Sequence, residues 1–306
     1  MSDEPGVVEN VAVLDLSTMR SEEELARIKS IRNVANVIVP ESLAGALAAI
    51  PMRNVANVVP VPDGARVNAH VGAMTMGGAA LAASGDAPTV LLLTGALVIT
   101  SPVERVGLHS IMTVGAVVAP EGSEAALTPA LRRTVGRVVY YPWVEGQAVK
   151  VFQGDTRMKG EALANPGGGP DDIAIFAGTL VVTRPVAKVG FRRIVVVGTL
   201  AAPEESEMAL SPSLVMVGDA IWYSAPPRIF SGAEHISAGF FELLDEPVTL
   251  VLSGAIQFES DIPVQLFKEK VAAVAISGAV KASRELVPLL QVLAVQKSGV
   301  IGTLDE

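Results

Sequence analysis

The sequence predicts a mainly β protein: a parallel β-solenoid of about 15 coils, each roughly 20 residues long. Three observations carry that expectation. The first is a duplication: residues 95–131 and 178–214 align without a gap at an offset of 83, and 20 of the 37 positions are identical. The second is a shorter glycine period inside and beyond the duplicated stretch. Aliphatic runs are centred on Gly95, Gly115 and Gly136, on Gly178, Gly198 and Gly218, and on Gly254, Gly278 and Gly299, with steps of 20 to 24 residues inside each triplet. Weaker members at Gly154 and Gly232 fill the gaps, so the coils group in fours. The third is composition. Half the residues (50 %) are hydrophobic but only 4 % are aromatic, which suits narrow coils filled by Val, Ala, Leu and Ile.

Residues 1–64 read as β/α coils. The segments 9–16, 32–39 and 53–61 share an Asn-Val-Ala core or close variants of it. Ser21 followed by Glu24 forms a capping box that opens a helix expected over 21–31, with Leu25, Ile28 and Ile31 on one face. Pro40 opens a second helix, with Leu43, Leu47 and Ile50 along one side. This alternation resembles a leucine-rich-repeat arrangement in outline. Asn33, Asn36, Asn54 and Asn57 would form a stacked ladder. The Leu-x-x-Leu-x-Leu-x-x-Asn run of that family is absent, and no function follows from the resemblance.

Residues 65–306 read as solenoid repeats, with duplicated units at about 90–164 and 173–245 and a degenerate third unit over 246–306. The connections 120–131 and 203–214 keep helix-start chemistry, but Pro129 and Pro212 limit them to one or two turns. Val197, just before a repeat glycine, is expected to face inward. The segment 162–172, with two prolines and three consecutive glycines, reads as an exposed loop, and its 165–172 part is expected to be cut or shortened without loss of the fold. A single stack of this size would be a rod roughly 70 Å long at the parallel-strand spacing.

Composition also limits function. The net charge of −9 argues against a sequence-independent nucleic-acid binder, because Arg132-Arg133 and Arg192-Arg193 are the only basic clusters. Apolar runs are too short for a transmembrane helix. The acidic start shows no signal peptide, and there is no cysteine; together these point to a cytoplasmic protein. The chain has neither a phosphate-binding glycine loop nor a nucleophile elbow. His70, His109 and His235 fall in different repeat units, and His109 is matched by Arg192 in the second copy. Each reads as a surface or core histidine rather than a ligand. Glu121, Glu124, Glu204, Glu205 and Glu207 follow prolines at helix starts and read as caps. No catalytic residue, metal or cofactor is expected.

Two features remain as candidate sites. Tyr140, Tyr141 and Trp143 close one coil, and Trp222 and Tyr223 stand at the matching place one unit later. They would form a platform for a glycan or protein partner. Val300, Ile301 and Leu304 lie in the last coil, where an open strand edge invites a second copy to form a dimer or filament. The expected function is therefore a non-catalytic, self-associating scaffold, similar in plan to the bactofilin-type filament formers. The competing reading is a β-helix protein that binds or cleaves carbohydrate.

Overall fold

The computed structural model describes residues 6–304, without the side chain of Arg133. The acidic segment 1–5 lies outside the described residues. The chain is mainly β, and every strand pairing in its sheets is parallel. No helix among the described residues is long and apolar enough to cross a membrane.

The strands fall into four separate sheets rather than one continuous stack. The first holds β1 (Val7–Asp15), β2 (Ser30–Pro40) and β3 (Met52–Val61). The second holds β4 (Arg66–Met76), β5 (Thr89–Ile99), β6 (Ser110–Pro120) and β7 (Leu131–Tyr141). The third runs from the broken pair β8 (Val149–Gln153) and β9 (Thr156–Met158) through β10 (Ile173–Val182) and β11 (Arg193–Pro203) to the broken pair β12 (Leu214–Met216) and β13 (Asp219–Tyr223). The fourth holds β14 (Pro227–Ile236), β15 (Val248–Phe258), β16 (Val271–Ala282) and the broken pair β17 (Ala294–Lys297) and β18 (Val300–Thr303).

The second, third and fourth sheets do have four coils each, but Gly154 and Gly232 open the third and fourth sheets rather than ending the units 90–164 and 173–245, and each sheet starts afresh. The glycine column shows why. Gly115 has φ +136°, and a Cβ there would lie 2.0 Å from the carbonyl oxygen of Gly95 in the coil before it. Only glycine lets neighbouring coils approach at this kink. The same column recurs in the third and fourth sheets. At Gly72, Gly154 and Gly232, the first glycine of each column, an added Cβ would meet nothing within 4 Å. The ladder therefore begins at those three residues.

The chain divides into two compact units, 1–145 and 146–306. In the first, the first and second sheets pack face to face through Ile38, Val59, Val61, Val90 and Leu92. Their opposite faces carry the short crossover helices α1 (Glu22–Leu25), α2 (Ala44–Leu47), α3 (Gly78–Ala82) and α4 (Glu124–Leu127). The second unit repeats this plan. The third and fourth sheets meet at Ala201, Ile221, Tyr223, Val251 and Ala275. The helices α5 (Glu207–Leu210), α6 (Ala238–Glu242), α7 (Val264–Lys270) and α8 (Leu286–Leu293) cover their far faces.

Each helix is too short to be stable alone; α1 to α7 are each held by one large side chain sunk into the core, and α8 by two, Leu286 and Leu290. Leu25, Leu47, Leu81, Leu127, Leu210, Phe241 and Phe267 are all buried. Ser21 caps α1, accepting from the Glu24 N–H at 3.3 Å, while the Glu24 carboxylate accepts from the Arg20 N–H. The helix ends at Leu25, well short of residue 31, because Ile31 already belongs to β2. Further along, serines bridge coils instead of capping their own helix. The buried hydroxyls of Ser123 and Ser206 accept from the N–H groups of Val103 and Val186, one coil earlier. The asparagine ladder is present and has an extra rung: Asn54 donates to Asn33, and Asn33 to Asn10, each at 3.0 Å. These three residues sit in the left-handed region, φ +59°, +52° and +60°, which asparagine tolerates better than other side chains. A second ladder joins Asn57 to Asn36.

Two local expectations are corrected. Val196, not Val197, is the inward residue; Val196 lies in the core of the third sheet beside Ile194 and Leu200, whereas Val197 is half-buried. The segment 162–172 is not a free loop. Leu163, Asn165 and Asp172 are buried, and Asp172 accepts from the backbone N–H groups of Ala148 and Gly169. Exposed residues in the segment are Ala162, Pro166–Gly168 and Pro170–Asp171, with Gly169 half-buried.

Candidate functional site

The aromatic group splits by strand parity. Tyr140 pairs with Ala119 on β7, and Trp222 pairs with Ala202 on β13, so they are equivalent positions in the two copies. Each stands on the last strand of its sheet and packs against the helix-side core, covering the apolar end that no further coil protects. Both are half-buried. Burial, with the Glu124 carboxylate second, raises the pKa of the Tyr140 phenol.

Tyr141 and Tyr223 point the other way and are buried, so they cannot be part of an exposed platform. Their hydroxyls donate to the carbonyls of Ile99 and Val182, two coils back. Burial pushes both phenols above their ordinary range; for Tyr223, Arg157 opposes the shift and Glu205 adds to it. Trp143 follows β7 and is half-buried. Tyr140, Tyr141 and Trp143 belong to one compact unit, Trp222 and Tyr223 to the other, so a common stack spacing does not relate the two groups.

The sheet ends differ in chemistry. The first strands of the second, third and fourth sheets place Asn68, Lys150 and Arg228 in columns that continue as the buried Leu91, Ala174 and Leu250. A polar residue at the open end of a core column blunts that edge. The last strand of the fourth sheet does the same with Gln296 and Lys297, in the columns of the buried Ala275 and Ile276. Val295 and Val300 are 65 % and 69 % exposed, and Val292 on the adjoining helix α8 is 80 % exposed. Lys297 is the single charge in 294–303. Ile301 packs against the core of that sheet, and Leu304 is half-buried, its N–H donating to the Ala282 carbonyl.

Among the described residues, the histidines lie apart from one another. His235 meets Glu259 at 2.8 Å on the surface, and His70 contacts the Ala73 carbonyl at 3.3 Å. Among the described residues, no group of three or more His, Asp or Glu is placed to hold a metal ion. Glu121, Glu204, Glu205 and Glu207 are exposed and Glu124 half-buried, all at helix starts. In the second unit, a groove of about 150 Å³ is lined by Asp155, Thr156, Arg157, Thr179, Val181, Ile229 and Ser231. Its two ionisable groups carry opposite charges.

One polar cluster escaped the sequence reading. Lys150, Asn165 and Asp172 come together beneath the 165–172 segment. The Lys150 ammonium donates to Asn165 Oδ1 at 2.6 Å, lies 3.9 Å from Asp172 Oδ2, and stands 5.5 Å from the centre of the Phe191 ring. The hydrogen bond from Asn165 is the largest influence holding the Asp172 carboxyl below the usual range; burial opposes it, and the Ala148 and Gly169 N–H groups and Lys150 reinforce it. Sequence spacing gave no signal, because the three residues come from a strand, a turn and a strand entrance.

No family model, no curated protein and no solved structure matches this chain.

Proposed function

We propose that the protein is a non-catalytic scaffold whose parallel coils self-associate through the β17–β18 edge of the fourth sheet. The observation that carries this reading is the group of exposed valines at the end of the fourth sheet. Val295 and Val300 on β17 and β18 and Val292 on the adjoining helix α8 are 65 %, 69 % and 80 % exposed, with Lys297 the single charge in 294–303. An apolar, weakly charged strand edge is a template for another strand. A second copy of the chain is the occupant, forming a dimer or a step in a filament. Tyr140, Trp143 and Trp222 keep partial exposure and would serve as secondary contacts for a protein or glycan partner.

The carbohydrate-enzyme reading draws less support. It calls for several ionisable groups converging in a groove, and the Asp155–Arg157 groove offers two. Sedimentation velocity tests the scaffold reading. The wild-type chain should show a mass that rises with concentration. The pair Val295→Lys and Val300→Lys should remain monomeric with an unchanged circular dichroism spectrum. A wild-type chain that stays monomeric at high micromolar concentration would remove the reading.

A further inference from the structure

We propose that Lys150 and Asn165 form a covalent side-chain amide, with Asp172 as the proton carrier.

The geometry differs from that of an ordinary buried ion pair. In such a pair the ammonium and carboxylate meet closely. Here the ammonium rests on the neutral carboxamide at 2.6 Å and the carboxylate stands back at 3.9 Å. The carboxamide is held from the other side. Its Nδ2 donates to Gly169 O at 3.2 Å, to Asp172 Oδ2 at 2.9 Å and to Gly190 O at 3.4 Å. Three acceptors around one nitrogen fix which end of the amide is which, so the carbonyl end faces Lys150.

The fold pre-positions every partner. Lys150 is on the first strand of the third sheet, in the column of Ala174 and Ile194, so its stem lies over the end of the apolar core. Its ammonium sits by the Phe191 ring. Asn165 is 5 % exposed and held in the left-handed region at φ +53°. Asp172 is 5 % exposed and fixed by two backbone N–H groups. Holding reactants in contact in this way replaces a bimolecular encounter with an intramolecular one.

The step balances without any co-reactant. Asp172 takes one proton from the Lys150 ammonium. The freed amine attacks Cγ of Asn165, forming the new C–N bond. Asp172 Oδ2, already in contact with Nδ2, returns that proton to the departing nitrogen. The old C–N bond breaks, the new amide nitrogen gives up its second proton, and the ammonia carries that proton away as ammonium through the partly open side of Lys150, so Asp172 is again a carboxylate. The usual way an asparagine loses ammonia, attack by the following backbone nitrogen, is closed here because residue 166 is proline and has no N–H.

Mass spectrometry of the purified full chain tests this. The wild-type protein should be one ammonia lighter than its sequence. Its tryptic digest should contain a branched species joining 138–157 to 160–188, because a modified Lys150 is no longer cleaved. Lys150→Arg should show no ammonia loss and no branch, and so should Asp172→Ala. A wild-type digest in which Lys150 is cleaved normally, with 160–188 unbranched, overturns the proposal whether or not either variant folds. A branch that persists in Asp172→Ala overturns the role given to the carboxylate.

Discussion

The phenol of Tyr141 donates to the carbonyl oxygen of Ile99 across two coils, at 2.7 Å. The reason lies on the strand between them. One coil earlier, the Thr100 N–H donates to Met76 in the regular parallel ladder. In the next coil the register set by Val98 and Val118 brings Pro120 to the equivalent place, and proline has no N–H to give. Tyr141, which pairs with Pro120 on β7, supplies the missing donor. The second copy repeats the device with Val182, Pro203 and Tyr223. The paired Pro and Tyr are thus a structural unit of the duplication.

Tyr141→Phe should therefore cost about 1–3 kcal/mol in urea denaturation, the range for leaving a buried acceptor unsatisfied. Pro120→Ala restores a backbone N–H and should recover part of that loss in the double variant. If the two single effects simply add, the Pro–Tyr coupling is absent. The tyrosine also sets an alkaline limit. Its folded pKa is raised, so the stability it supplies is complete below about pH 10 and is lost as pH rises through the folded value. Tyr141→Phe should lessen that alkaline loss.

The glycine ladder makes a contrasting pair of predictions. Gly115→Ala puts a methyl group 2.0 Å from a backbone oxygen at positive φ and should cost more than about 3 kcal/mol, if the protein folds at all. Gly45 lies in α2, where an added Cβ meets nothing within 4 Å. Gly45→Ala should raise stability by about 0.5–1 kcal/mol. Equal effects at the two positions would show that the column is not a steric requirement.

A carboxylate at Val196 should unfold the second unit, because that side chain is fully covered and an unpaired buried charge costs several kcal/mol. Val197→Asp, one residue on and half-buried, should be the milder change. Thermal melts of the two variants check the order, and the reverse order would place the core on the wrong face.

Asp172 gives an acid limit. Its folded pKa is depressed, so its contribution is present above about pH 4 and is lost as pH falls through the folded value. Asp172→Asn should lower stability at neutral pH and flatten the dependence on pH in the acid range. An acid denaturation curve with the wild-type slope would contradict the anchoring role assigned to this side chain.

Much of this architecture was legible in the chain. The glycine steps gave the coils, because a kink repeated in register leaves a recurring spacing of 20 to 24 residues in the sequence. Asn33 and Asn54 gave a ladder for the same reason. The break into four sheets was not legible. It depends on whether Gly72, Gly154 and Gly232 have a coil stacked before them, and an isolated glycine looks the same in either case. The aromatic pairs misled because Tyr140 and Tyr141 are adjacent in sequence yet face opposite sides of one strand. The Lys150–Asn165–Asp172 cluster was invisible because its members have no common spacing, and the Pro-Gly-rich composition around Asn165 suggested a solvated loop.

Hydrogen exchange followed by mass spectrometry, at low and at high protein concentration, tests the scaffold account most directly. The account predicts that amides in 294–303 become more protected as concentration rises, while those of β14 at the opposite edge of the same sheet do not change. Protection that is independent of concentration in 294–303, or that grows at β14 instead, would contradict it.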